Sequence, residues 1–457
     1  MNYEAVIGLE VHVQLKTRSK MFCGCATEFG AAPNTQVCPV CLGYPGVLPV
    51  MNAKAIAKTI LTGLMIGCEI TRHSKWDRKN YFYPDMPKNY QISQYDLPLC
   101  VGGHVGKCGV TRIHLEEDVA KSFHFDRTSG VDFNRAGTPL MEIVSEPDMR
   151  SPDEAAAYLV ALKEMLVSGD VSDCDMEKGQ LRCDANVSVR PVGQEKFGEK
   201  VEIKNMNTIS GVRRALGYEI SRQATVLDRG EKLQQETRRW DDETGTTSVM
   251  RTKEYAHDYR YFPEPDLMPV IVSDELLEEI RRLLPELPEA KRQRFIRQYG
   301  LPEYDAGVLV ANAALAGFYE KAAAGSKNPK AISNWVMSVS DITATPIRPA
   351  HVADLVAVID AGRISGKQGK DVFARMLATG MSPVTIIEEQ GLAQVSDAGA
   401  IEAFADQAIA ANPKSVADYK AGNEAALNHL KGQVMKLSKG KANPQLAGEI
   451  LTRKLRG

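Results

Sequence analysis

The stretch Thr111-Arg-Ile-His-Leu-Glu-Glu-Asp118 decides how most of this 457-residue chain is read. In an extended segment successive side chains leave on opposite faces, so Arg112, His114, Glu116 and Asp118 share one face and Ile113 and Leu115 the other. Such a strand buries its greasy face and presents the charged one to water or to a ligand. Glu116 and Glu117 follow each other directly, and neighbouring carboxylates repel unless water, a proton or a cation relieves them.

Several other stretches repeat this pattern. Ile7 to Leu15 alternates almost without fault, putting Glu10, His12 and Gln14 on one face and Ile7, Leu9, Val11, Val13 and Leu15 on the other. From Gln180 to Pro191, Arg182, Asp184, Asn186, Ser188 and Arg190 alternate with apolar residues; Val201 to Asn205 carries Glu202 and Lys204 together, and Pro139 to Val144 carries Glu142. If these strands are neighbours, their polar faces form one acidic surface. Hard oxygen ligands of that kind suit magnesium, which bridges to nucleotide phosphates. Arg182, Arg190, Lys204 and Arg260 are then candidates for neutralising those phosphates.

Helices punctuate the strands. Asn52 caps one over Ala53 to Ile66 that Gly67 stops; Ser151-Pro-Asp-Glu154 is a capping box opening Pro152 to Val167; a third spans Ile209 to Arg229 before Gly230. From Glu289 onward the text turns Ala-rich and helical in period. The expected organisation is α+β: an antiparallel-sheet domain over 1–290, a helical domain over 291–405 and a basic helical tail over 406–457.

Composition excludes several classes. A chain 44% hydrophobic and 25% charged is an ordinary globular protein, and no run of about 18 apolar residues signals a membrane span. The first ten residues lack a basic flank and an unbroken apolar core, so no signal peptide is expected and the location is read as cytoplasmic. The net charge of −2 is unevenly spread: Ala411 to Gly457 holds nine Lys/Arg against three acids, a net of +6, which leaves about −8 on the rest. A basic tail on an acidic body points to a polyanionic partner or to a solvated helical surface.

Among nine cysteines, Cys23-x-Cys25 and Cys38-x2-Cys41 form two close pairs separated by a short loop, able to set four thiolates tetrahedrally around a structural zinc. A redox pair at Cys38 and Cys41, or four free thiols, are the alternatives. Trp76 to Gln94 combines Pro84 and Pro87 with five aromatics and reads as a stiffened surface loop whose rings can hold a flat base; Lys79 and Tyr83 in it are nucleotide-binding candidates. No G-x4-G-K-[ST] occurs: Gly362-Arg-Ile-Ser-Gly366-Lys367-Gln368 is one residue short, with Gln where the hydroxyl belongs. G-x-S-x-G and H-E-x-x-H are also missing from the sequence. A nucleotide site here has to be of an open-sheet, carboxylate–metal kind.

The sequence closely resembles the B-subunit family of the Asp/Glu-tRNA amidotransferases. The resemblance lies in V-I-G-L-E-V-H-V-Q-L-K-T at 6–17, D-R-K-N-Y-F-Y-P-D-M-P-K-N-Y-Q-I-S-Q at 77–94, H-L-E-E-D at 114–118 and G-T-P-L-M-E-I-V-S-E-P-D at 137–148. It continues in L-R-C-D-A-N-V-S-V-R at 181–190, D-Y-R-Y-F-P-E-P-D at 258–266 and N-E-A-A-L-N-H-L-K-G-Q-V-M-K at 423–436. What it implies is a cradle resembling glutamine synthetase, followed by helical and tail domains that hold tRNA. The implied reaction uses ATP and Mg to phosphorylate the side-chain carboxylate of misacylated Glu-tRNA(Gln) or Asp-tRNA(Asn), then lets ammonia displace the phosphate. The ammonia would come from a separate amidase chain, the glutaminase of the complex, and a small third chain would complete a heterotrimer. By motif match Glu10, His12, Glu116, Glu117, Glu142 and Glu202 are the implied metal-site residues. Two rival readings are a small-molecule ligase like glutamine synthetase and a non-catalytic RNA-binding scaffold carrying a zinc knuckle.

Overall fold

The computed structural model describes residues 2–252, 259–392, 398–438 and 442–456. Lys439 and Lys441 of the basic tail and Asp258 of the 258–266 motif lie outside the described residues. The chain folds as two compact units, Met1–Leu287 and Pro288–Gly457.

The first unit is built on a ten-stranded sheet whose centre is the strand Tyr3–Gln14. On one side it pairs antiparallel with Pro139–Ser145, which pairs with Cys108–Glu117; on the other it pairs antiparallel with Leu181–Pro191, followed by Val201–Met206. The next strand, Glu236–Asp241, runs parallel to Val201–Met206 and forms a hairpin with Thr246–Thr252. A parallel neighbour needs a crossover, and the helix Ile209–Asp228 lies in that connection. The sheet is therefore antiparallel-dominated, with helices packed on it.

Alternation in the sequence is what closes one face. Ile7, Leu9, Val11 and Val13 meet Ile113, Leu115, Met141, Ile143, Ala185 and Val187 in one buried cluster under the helices Ala53–Met65, Pro152–Ser168 and Ile209–Asp228. Burying each aliphatic side chain contributes about 1.5–3 kcal/mol, so this face fixes the register of every central strand. The caps follow the sequence: Asn52 accepts from Lys54 and Ala55 N–H, and Ser151 from Glu154 N–H, although the Glu154 carboxylate takes the Arg150 N–H, one residue before the cap.

The Trp76–Gln94 stretch, expected as a loop, is irregular over residues 81–89 but is flanked by two short strands. Asp77–Asn80 and Tyr90–Ser93 pair, and Phe262–Pro263 adds a third strand tied by a bidentate Arg78–Glu264 pair at 2.7 and 2.9 Å. This small sheet serves the edge of Cys108–Glu117: Gln94 Oε1 accepts the Leu115 N–H at 3.1 Å and Gln91 Nε2 donates to the Glu117 carbonyl at 2.6 Å.

The second unit is helical throughout its described residues. One apolar cluster gathers Phe295, Tyr319, Val336, Leu355 and Phe373; another gathers Ile401, Leu430, Val434, Ile450 and Leu451. The boundary expected near 406 falls inside the helix Ala398–Ala411, whose Ile401, Ala405 and Ala408 pack with the tail helices. No helix among the described residues is long and apolar enough to cross a membrane.

Candidate active site

Register places the charged side chains in lines across the sheet. His12 stands opposite Arg182 on one neighbour and Glu142 on the other, and Glu142 stands opposite His114. Arg182, His12, Glu142 and His114 therefore form one row over four strands, with Asp184 and Glu10 paired one step along. His12 Nε2 lies 3.4 Å from Glu142 and 3.7 Å from Glu116, and His114 Nε2 is 3.4 Å from Glu142. Two sets share Glu142, namely Glu10/His12/Glu142 and His114/Glu116/Glu142, each with its ligand atoms within 4.8 Å of one another.

This face is not wet. Glu116 is 3% exposed, and Glu142 and His114 are buried with it. Glu116 Oε2 and His114 Nδ1 are buried without a hydrogen-bond partner among the described residues. A buried polar atom left unpaired costs about 1–3 kcal/mol, more when charged. A divalent cation held by the second set removes that cost, and each set, with two carboxylates and one imidazole, fits one.

Protonation follows from the same crowding. Burial raises the Glu10 pKa, and Glu142 raises it further. For His12, burial opposes the charge, but the hydrogen bond to Glu142 and the field of Glu142 and Glu116 win, and its pKa is pushed up to about 9. Burial likewise opposes ionisation of Glu142, yet the two histidines hold its carboxyl well below the usual range. Without a cation, the proton on His12 supplies positive charge here.

A cavity of about 610 Å³ opens over this row. Its cations differ in how they are held. Arg182 donates to the buried Asp118 at 2.7 Å, and Lys204 is paired with Asp184 and, at 3.1 Å, with Glu202. Lys79 enters from the small sheet; burial works against its charge, but Glu116 foremost, with Tyr261 and Glu142, raises its pKa. Arg239 lines the cavity with no ion pair among the described residues. It stands directly opposite Lys204 in the parallel register, a like-charge neighbour that is unfavourable unless an anion joins them.

On the opposite side of Cys108–Glu117, Cys23, Cys25, Cys38 and Cys41 bring their sulfurs within 4.8 Å of one another. Four thiolates at about 2.3 Å from a zinc fall within that separation, so the donor set fits the ion in number, kind and spacing.

Residues 5–278 match the family model of the GatB/GatE catalytic domain, and residues 317–455 match that of the GatB domain. The chain belongs to the GatB family. The relative from Methylacidiphilum infernorum, 55% identical over 482 residues spanning 100% of this chain and 99% of that protein, is named as the B subunit of aspartyl/glutamyl-tRNA(Asn/Gln) amidotransferase. So are relatives from Carboxydothermus hydrogenoformans, 53% identical over 99% of each chain, and from Geobacter sp. strain M21, 52% identical over 100% of each. Both the histidine–glutamate row and the cysteine cluster lie within the segment matched to the GatB/GatE catalytic domain.

In this GatB-family chain not every expected site residue reaches the row. Glu117 follows Glu116 by one residue and so leaves on the other face, where its carboxylate takes Lys88 and the Ile92 N–H at 3.0 Å. Glu202 stands beyond the Leu181–Pro191 strand, accepting from Thr237 at 2.8 Å and holding Lys204; it belongs to neither ligand set. Arg190 is eight residues along its strand from Arg182, roughly 26 Å at about 3.3 Å per residue, and pairs with Glu4 at 2.7 Å. Tyr83 is 58% exposed and Arg260 is exposed; neither lines the cavity, whereas Tyr81 does. Sequence reading missed Arg239, Asp184 as the anchor of Lys204, and the role of His114. Alternation in Glu-Thr-Arg-Arg-Trp-Asp241 held the signal for Arg239: Arg238 is buried against Glu236, Thr247 and Glu219, so Arg239 has to face the other way.

Proposed function

We propose that this chain catalyses ATP-dependent amidation of misacylated Glu-tRNA(Gln), Asp-tRNA(Asn) or both, on the Arg182–His12–Glu142–His114 face. The observation that carries the reading is the pair of ligand sets sharing Glu142, one of them with a buried Glu116 oxygen that has no hydrogen-bond partner among the described residues. A side-chain carboxylate is a poor acyl donor because its oxygen leaves badly. In the proposed sequence that oxygen attacks the terminal phosphorus of ATP and ADP departs. Ammonia then attacks the carbonyl carbon, the C–O bond breaks with its electron pair going to phosphate, and a proton is lost from nitrogen.

A magnesium ion held by Glu142 with Glu10 and His12, or with Glu116 and His114, would neutralise charge on the phosphates. The remaining work falls to the chain. Lys79 and Arg239 hold transferring oxygens, Arg182 is kept in place by Asp118, and Lys204 is oriented by Asp184 and Glu202; positioning and charge neutralisation supply nearly all catalysis of phosphoryl transfer. Nothing in the sequence resembles a glutaminase nucleophile, so nitrogen comes from a separate amidase partner, and a small third chain completes a cytoplasmic heterotrimer.

The test is tRNA-dependent ATP turnover with ammonium as nitrogen source. Mischarged tRNA is expected to stimulate ADP release and amide formation together, and free glutamate is not; stimulation by free glutamate favours the small-molecule ligase, and no turnover with either favours the scaffold. In the same assay Arg239→Ala is expected to lower kcat/KM for ATP by about 10²-fold, the size of losing one aimed charge, with Arg239→Lys intermediate. A change under twofold removes Arg239 from the phosphate site.

The tail unit is assigned to tRNA phosphates. Two of its cations are already satisfied, Arg453 by Glu402 and Lys454 by Asp406 at 2.8 Å, while Lys414, Lys420 and Lys436 are exposed. Reversing those three to Glu is expected to reduce the slope of log affinity against log salt by about 2–3, at about 0.7–0.9 per phosphate contact. An unchanged slope in filter-binding titrations excludes them from the interface.

A further inference from the structure

Lys20 is 1% exposed and carries no carboxylate partner among the described residues. Its ammonium donates to the Phe133 carbonyl at 3.2 Å and to Cys41 Sγ at 3.5 Å. A lysine this deeply buried is kept charged only by an anion, since desolvating an unpaired ammonium is prohibitive. The nearest source of negative charge is the four-cysteine cluster. With four thiolates around a divalent zinc the cluster carries a formal charge of −2, itself costly to bury. Each anomaly removes the other.

We propose that Lys20 is the built-in counter-ion of an anionic zinc–tetrathiolate cluster, and that it fixes the cluster's affinity for metal. The proposal rests on the reading of the four cysteines as a zinc site. The surrounding backbone is shaped to keep the pair together. Cys41 Sγ also accepts the Cys38 N–H at 3.2 Å, so two donors point at one sulfur from different directions. Gly137, at φ +84°, lets the chain pass close by: a Cβ there would come within 3.4 Å of Lys20 Cδ, 3.5 Å of Cys41 Cβ and 3.8 Å of Glu117 Oε2. Lys20, Cys41 and Glu117 line one cavity of about 210 Å³, so the counter-ion stands between the cysteine loop and the back of the strand that carries Glu116. Outer-shell donors to metal ligands change affinity by about 10–100-fold when removed.

The experiment uses the full-length chain with zinc alone. Metal content and competition against a chromophoric chelator are measured for the parent and for Lys20→Met, which keeps bulk and removes charge, and thermal midpoints are measured with and without Cys38→Ser/Cys41→Ser. The expected result is about one zinc per parent chain and a 10–100-fold weaker hold in Lys20→Met. The effect on stability should change sign: Lys20→Met lowers the midpoint of the zinc-loaded parent but raises it, or leaves it unchanged, in the Cys38→Ser/Cys41→Ser background, where the cluster's charge is gone. If Lys20→Met alone is insoluble, the triple variant decides, since the proposal requires it to be folded and no less stable than the double one. A parent that holds zinc while Lys20→Met competes identically overturns the role of Lys20 alone. A parent that neither contains nor binds zinc overturns the cluster and Lys20 together.

Discussion

Glu142→Gln is expected to reduce tRNA-dependent ATP turnover and amide formation by about 10²–10³-fold, the size of removing one aimed charge from a transition state. The reason is geometric: Glu142 is the one carboxylate common to both ligand sets, 3.4 Å from each imidazole. The amide keeps the shape and removes the charge, so tRNA binding should persist. Stability should respond to pH with a definite sign. In the metal-free protein the His12 pKa is raised from 6.5 to about 9, largely through Glu142, so its proton stabilises the fold fully below pH 6.5 and the contribution is lost as pH rises through 9. Glu142→Gln is therefore expected to lower the thermal midpoint more at pH 6 than at pH 9.5. Glu117→Gln is the control. It strips Lys88 of its partner on the other face but should leave manganese or magnesium affinity at the row unchanged, as read by calorimetry; equal loss of cation binding in both variants contradicts the two-faced geometry.

Replacing Cys38 and Cys41 together by serine is expected to abolish zinc binding and to destabilise the Met1–Leu287 unit by about 3 kcal/mol or more, because metal binding free energy is folding free energy for the loop it closes. For a unit of this size that is roughly 6–12 °C in thermal midpoint, at about 2–4 °C per kcal/mol. Between Met21 and Met51 the described backbone makes no strand or helix; besides the cysteines, the loop is held by the buried Met21 and Phe22 and by hydrogen bonds from Asn34 and Asn134. The fall should appear in the parent as well when zinc is chelated, and an unaltered midpoint in both would remove the metal from the account of this fold.

What the sequence made legible was whatever alternation and capping control. Glu10 and His12 facing away from Leu9, Val11 and Val13, the Asn52 and Ser151 caps, and the shared face of His114 and Glu116 all follow from period-two or first-turn chemistry. Pairing partners were not legible, because register depends on which strands meet. Arg190 and Arg182 look equivalent on one strand, yet only Arg182 falls in line with His12. Glu117 was drawn to Glu116 by adjacency, although the alternation that placed Glu116 on the charged face puts Glu117 on the other. The Tyr81 region read as a loop because its strands are four residues long and its partner, Phe262–Pro263, is distant in sequence. Lys20 carried no pattern of its own; its meaning lies in the sulfur it faces.

If this face passes a phosphoryl group to a side-chain carboxylate, one carboxylate oxygen leaves with phosphate, and oxygen labelling follows it. Mischarged tRNA whose glutamyl or aspartyl side-chain carboxylate carries ¹⁸O in both oxygens is amidated with ATP and ammonium, and the released phosphate is analysed by mass spectrometry. One labelled oxygen per phosphate, in step with each amide formed, is the predicted result, because the bond that breaks when ammonia attacks is the one joining the labelled oxygen to the acyl carbon. Unlabelled phosphate accompanying full amide formation would contradict the account.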